Sequence, residues 1–87
     1  MILAWAEKAW KDYCYWQEQD RKPLKRINKL LEDIRRNRYE GIGDPEPLKD
    51  DLKECWSRRI DSKNRIVYTI EGDMAFILKC RSDYGDK

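Results

Sequence analysis

Histidine is absent from this 87-residue chain. With it go histidine metal sites, Ser/His and Cys/His nucleophile systems, and the side chain that most often moves protons at neutral pH. Cysteine is scarce: Cys14, Cys55 and Cys80 are odd in number and far apart. They fit neither a zinc spacing nor a secreted disulfide framework, so they read as small core fillers in a reducing cytoplasm. No apolar run approaches the roughly 18 residues of a membrane span, and no signal-peptide pattern precedes the first element. The expectation is a soluble cytoplasmic protein with no metal, no cofactor and no membrane partner.

What is abundant is charge. Charged residues make up 41% of the chain, against roughly 25% in an ordinary globular domain. Nineteen basic residues face 17 acidic ones, so the net charge is only +2 and by itself argues weakly for a polyanionic partner. The basic residues are clustered, at Arg21–Lys22–Lys25–Arg26, Arg35–Arg36–Arg38, Arg58–Arg59 and Lys63–Arg65. On helices such clusters are mostly solvated faces; the pair Arg58–Arg59 stands in a strand-like run, where apolar and β-branched residues are preferred. The length supports one domain over residues 1–87 with a thin core. Four tryptophans and five tyrosines are well suited to fill it.

Apolar spacing predicts the order βααβββ. Ile2–Trp5 reads as a first strand, and Glu7 to about Gln19 as a helix with Trp10, Tyr13, Cys14 and Gln17 on one face. Asp20 is placed to cap a second helix, with Pro23 in its first turn, Leu24, Ile27, Leu30, Leu31 and Ile34 as its stripe, and an end near Arg38. The two helices should form a hairpin. Tyr39 to Pro47, YEGIGDPEP, is too rich in glycine and proline for a helix or a central strand. A helical turn near Leu48–Leu52 is possible, followed by strands at Cys55–Ile60, Arg65–Ile70 and Met74–Arg81. The fold class is α+β, an antiparallel sheet packed on an N-terminal helical hairpin.

Strand parity adds a functional inference. If Trp56, Ile60, Ile66, Tyr68 and Ile70 face the helices, Arg59 and Arg65 share the opposite, open face. Two guanidinium groups side by side cost stability, and an anion between them would relieve it. Arg58 reads as a partly covered strand residue. Trp10 and Trp16, at helical spacing, read as packing or dimer contacts rather than base-stacking platforms.

Several segments together resemble a known family: Trp5, WKDYCYWQEQD at Trp10–Asp20, EGIGDPEPLK at Glu40–Lys49, WSRRI at Trp56–Ile60, RIVY at Arg65–Tyr68 and CRSDY at Cys80–Tyr84. They are similar to the YoeB/Txe branch of the RelE-like toxins, and the resemblance runs from Met1 to Tyr84. It implies the RelE-like microbial RNase fold and a toxin that cuts messenger RNA in the ribosomal A site. It also implies a cognate YefM-like antitoxin and a homodimer.

Metal-free RNA cleavage uses the 2′-hydroxyl against the adjacent phosphorus. It needs a base for that hydroxyl, cations for the phosphoryl oxygens and an acid for the departing 5′-oxygen. Glu46 stands between two prolines that restrict its backbone. By itself it is either a plain loop carboxylate or a positioned base; the resemblance makes it the general base. The resemblance likewise gives Lys49 and Arg59 to the RNA backbone, Arg65 to the phosphoryl transition state and Tyr84 to nucleotide contact. At Asp83 the chain departs from its family, which ordinarily carries histidine immediately before the final tyrosine. An unperturbed aspartate, pKa about 3.9, is ionised at neutral pH, where a histidine near 6.5 can donate. Attenuated cleavage is therefore expected, with Tyr84 or a protonated Asp83 as the acid. The alternative is a catalytically silent protein that still binds ribosome or antitoxin. A free-standing DNA-binding domain is a poor reading, since no helix-turn-helix signature is present.

Overall fold

The computed structural model describes residues 1–49 and 54–81. Two helices lie against a five-stranded sheet: β1 Ile2–Trp5, α1 Glu7–Gln19, α2 Arg21–Asn37, β2 Glu46–Pro47, β3 Cys55–Arg59, β4 Arg65–Glu71 and β5 Met74–Lys79, with sheet order β1-β5-β4-β3-β2. The α+β class and the βαα start agree with the sequence reading. The sheet differs in two respects. It is mixed rather than antiparallel, because β1 runs parallel to β5, Ile2 opposite Met74 and Trp5 opposite Ile77. It also gains an edge strand, β2, paired antiparallel to β3 through Glu46↔Ser57 and Pro47↔Trp56. Two prolines keep β2 short and at the edge, where a missing N–H is tolerated.

Helix α2 forms as its stripe requires. Ile27, Leu30, Leu31 and Ile34 are buried and Lys22 N–H donates to the Asp20 side chain, the expected cap. Each fully buried aliphatic side chain contributes about 1.5–3 kcal/mol relative to exposure. Helix α1 is rotated from its expected face: Ala9, Asp12 and Trp16 are buried, whereas Trp10 is 51% exposed. The stripe at 9, 12 and 16 meets the sheet. Trp10 instead joins Trp5 and Tyr13 in an aromatic cluster at the rim, with ring centroids 5.1–5.9 Å apart. Trp16, as expected, is a packing residue.

The core lies between the helices and one face of the sheet, where Ile66, Tyr68, Ile60, Ala75 and Ile77 meet the helical stripes. Strand β5 stops at Lys79, short of the expected Arg81, because side chains of α1 take both backbone groups of Cys80. Its N–H donates to Asp12 at 3.1 Å and its C=O accepts from Trp16 Nε1 at 2.8 Å. Leu48 and Lys49 are not helical, and the remainder of the expected turn, at 50–52, lies outside the described residues.

Candidate functional site

Alternation along β3 and β4 sends adjacent residues to opposite faces. Ile66 and Tyr68 join the core, so Arg65 and Val67 face outward; Ser57 and Arg59, opposite Val67 and Arg65, do the same. Arg59 and Arg65 are direct cross-strand partners, as parity suggested. The hairpin that sets this register is held by Asp61, whose carboxylate accepts from the N–H groups of Lys63 and Asn64 at 2.8 and 2.7 Å. Burial alone would raise the Asp61 pKa, but these hydrogen bonds outweigh it and hold the group below its ordinary value.

The outer face is less open than expected. Ser57 and Val67 are buried at its middle, while Arg59 is exposed at one end. There the anion that two arginines call for is supplied by the chain itself. Glu46 Oε1 lies 3.0 Å from Arg65 Nη1, and the same nitrogen donates to Ser57 Oγ at 3.1 Å. Glu46 reaches this position because β2 pairs it with Ser57. The structure therefore brings together Glu46, Arg65 and Arg59, and adds Ser57, which orients Arg65. Ser57 was visible in WSRRI as the residue of the same parity as Arg59, but a serine gives no chemical signal apart from its neighbours. Lys49 is exposed just past β2. Asp83 and Tyr84 lie outside the described residues.

The root of the segment that leads to them is fixed. Besides the two bonds from α1, Cys80 is fully buried, with its thiol pushed up to about 12 by burial and by the Asp12 charge. It is thus an inert filler at neutral pH, as expected. The next side chain, Arg81, stacks its guanidinium 3.6 Å from the centre of the Tyr15 ring.

Arg58 departs most from its sequence reading. It is fully buried, not partly covered. Its guanidinium pairs with Asp33 of α2 and donates to the carbonyls of Arg38, Glu40 and Ile42 at 3.2, 2.8 and 3.2 Å. Its Nε donates to Tyr68 Oη at 3.2 Å, and that hydroxyl donates to Arg38 O at 2.6 Å. No local pattern points to the partner, which is 25 residues away. Burial raises the Asp33 pKa, but bonds from Arg58, Ile42 N–H and Asn37 more than offset this and leave it below its usual value. The loop crosses so close to the pair that a Cβ on Gly41, at φ +120°, would sit 1.9 Å from Asp33 Oδ2. That φ and this distance favour glycine there.

Among the described residues no three Cys, Asp or Glu side chains gather as ligands for a metal ion, and no helix is long and apolar enough to cross a membrane.

Comparison with known proteins agrees with this architecture. Residues 5–84 match the family described as YoeB-like toxin of bacterial type II toxin-antitoxin system. Toxin YoeB of Escherichia coli K12 is 49% identical over 84 residues, 97% of this chain and 100% of that protein. The YoeB/ParE toxin from Agrobacterium tumefaciens superposes with a TM-score of 0.94 at 38% identity, covering 97% of this chain and 100% of that one. A YoeB from Staphylococcus aureus, solved as a dimer, gives 0.90 at 41% identity, and its complex with YefM gives 0.89 at 40%, each covering 97% of this chain and 98% of the other. The chain belongs to the YoeB-like toxins of bacterial type II toxin–antitoxin systems.

Proposed function

We propose that this chain, as one domain over residues 1–87, is a metal-free endoribonuclease that cuts messenger RNA in the ribosomal A site and so halts translation in the cytoplasm. The observation that carries the reading is the contact between Glu46 and Arg65, beside Arg59, on the sheet face turned away from the helices. A carboxylate next to a guanidinium is what 2′-hydroxyl attack requires: one group to take the proton, one to hold the phosphoryl oxygens. In the free protein the two neutralise each other. An arriving phosphate competes for Arg65, and Glu46 is released toward the 2′-hydroxyl. The hydroxyl oxygen then attacks phosphorus as its proton passes to Glu46. The 5′-oxygen departs with a proton from Tyr84 or a protonated Asp83, leaving a 2′,3′-cyclic phosphate. Lys49 and Arg59 grip the RNA backbone.

The partners in this reading are a YefM-like antitoxin and a second copy of the chain, by analogy with the S. aureus protein. An acidic antitoxin segment over Lys49, Arg59 and Arg65 would exclude RNA, so the two should compete in fluorescence anisotropy. Asp83 favours a second reading, a silent toxin that binds ribosome and antitoxin without cutting, because an ionised carboxylate repels the phosphate. Incubation of purified protein with ribosomes translating a defined message separates the two. Cleavage at the codon in the A site, absent from Glu46→Gln, supports the nuclease; tight ribosome binding with an intact message supports the silent protein.

A further inference from the structure

The buried guanidinium of Arg58 and the exposed carboxylate of Glu46 are linked by the loop between them. After α2 ends, the chain must cross to the far edge of the sheet and place Glu46 in register with Ser57. It has no regular structure from Tyr39 to Pro45 with which to hold that path. Instead, three successive alternate carbonyls, of Arg38, Glu40 and Ile42, are bonded by the two terminal nitrogens of one arginine. Asp33 closes the arrangement from the other side, accepting from Arg58 and from Ile42 N–H at 3.0 Å. The next contact is also made by β3: Arg59 N–H donates to Gly43 O at 2.7 Å. Only two residues then separate Gly43 from Glu46.

We infer that Arg58 is a positioning residue for the reaction: its grip on the carbonyls of the 38–42 loop sets the placement of Glu46 beside Arg65. The inference rests on the proposed role of Glu46. Its chemical logic is specific to arginine. A planar guanidinium with five donors can serve a carboxylate, a phenol oxygen and three carbonyls at once, whereas an ammonium has three donors and no fixed plane. Charge alone does not suffice. The arrangement also links the two faces of the sheet. Arg58 belongs to the helix side, yet what it holds ends on the other side, where Glu46 lies.

Arg58→Lys tests this, with Ile77→Val in β5 as a control that loosens the core without removing a hydrogen bond to the loop. Three measurements are needed: thermal unfolding, amide hydrogen exchange across residues 39–46, and single-turnover cleavage at saturating ribosome. For Arg58→Lys, exchange in the loop should quicken at least tenfold relative to β4. Cleavage should slow at least tenfold while the ribosome dissociation constant stays within twofold. Ile77→Val should lower the unfolding temperature and leave both loop exchange and cleavage at parent values. If Arg58→Lys does not fold, Gly41→Ala takes its place, because its Cβ would push the loop off Asp33 while Arg58 remains. Parent-like loop exchange and cleavage in the folded variant would overturn the inference. So would a loss of cleavage in Ile77→Val that tracks its lost stability. If the parent itself does not cut, the proposed function fails alone. The positioning claim is then decided by loop exchange and by the variant's crystal structure, in which Glu46 should leave Arg65; a Glu46 still paired with Arg65 would refute it.

Discussion

Arg58 and Arg59 are neighbours in one strand and have opposite environments. Arg58 is fully buried and every donor it has is directed at the protein's own oxygens. Arg59 is exposed and faces Arg65 across the hairpin. The same side chain fixes the fold on one face and keeps its charge in water on the other. What differs is satisfaction. A buried guanidinium is tolerable only when fully bonded, while an exposed one keeps its charge in water until a phosphate displaces that water. The two faces should therefore respond differently to substitution.

The largest effect is expected on the outer face. Glu46→Gln keeps the shape and removes the proton acceptor, so single-turnover cleavage should fall about 10²–10⁴-fold with unfolding temperature and ribosome affinity unchanged. A rate at the parent level would reduce Glu46 to a loop carboxylate. On the inner face, Ile34→Ala should cost about 2–5 kcal/mol in urea unfolding, with the cleavage rate per folded molecule preserved. A rate loss beyond the unfolded fraction would break the division between faces.

Asp83→His should raise cleavage by roughly tenfold or more, since imidazolium both donates a proton at neutral pH and attracts phosphate. The gain should shrink as pH falls and Asp83 becomes protonated. An unchanged rate from about pH 5.5 to 8 would pass the acid role to Tyr84. The smallest effect belongs to the turn between the faces. Asp61→Asn should cost about 1 kcal/mol at neutral pH. Because the folded Asp61 holds its proton less tightly than the unfolded chain does, its contribution is present above about pH 4 and disappears as pH falls through the depressed folded value. Parent and variant should thus converge in acid. A gap that persists at pH 2 would mean the charge is not what matters.

The parts of the fold that were legible are those governed by a local period or a local stop. The α2 stripe, the Asp20 cap and the glycines and prolines after Tyr39 each declare themselves within a few residues. Parity placed Arg59 opposite Arg65 without coordinates. Long-range pairing was not legible. Nothing in ILAW at residues 2–5 says that it lies parallel to Met74–Ile77, and nothing in a two-residue strand flanked by prolines says that it pairs with Ser57. The offset of α1 has a related cause. Trp10 looks like core by type, but burial follows the face that Ala9, Asp12 and Trp16 present, and there an aspartate is buried because Cys80 N–H and Lys8 bond to it. In the site, strand parity pointed to Arg59 and Arg65, while Glu46 by itself could equally be a plain loop carboxylate and was singled out by the resemblance. Arg58 was read as only partly covered because full burial of a charge in a strand is not expected unless its distant partner is known.

The pairing of the first strand with the last described strand has a consequence for when this protein can assemble. Among the described residues β5 is the only strand that pairs with Ile2–Trp5, so a growing chain carries an unpaired edge until Met74–Lys79 has been made. Helix α1 waits as well, because the groups that Asp12 and Trp16 hold belong to Cys80. Pairings this distant in sequence form slowly and late. A nascent chain lacking β5 leaves β1 without its partner strand and α1 without the Cys80 groups that Asp12 and Trp16 hold. The order of synthesis thereby delays assembly of this toxin until β5 has been made.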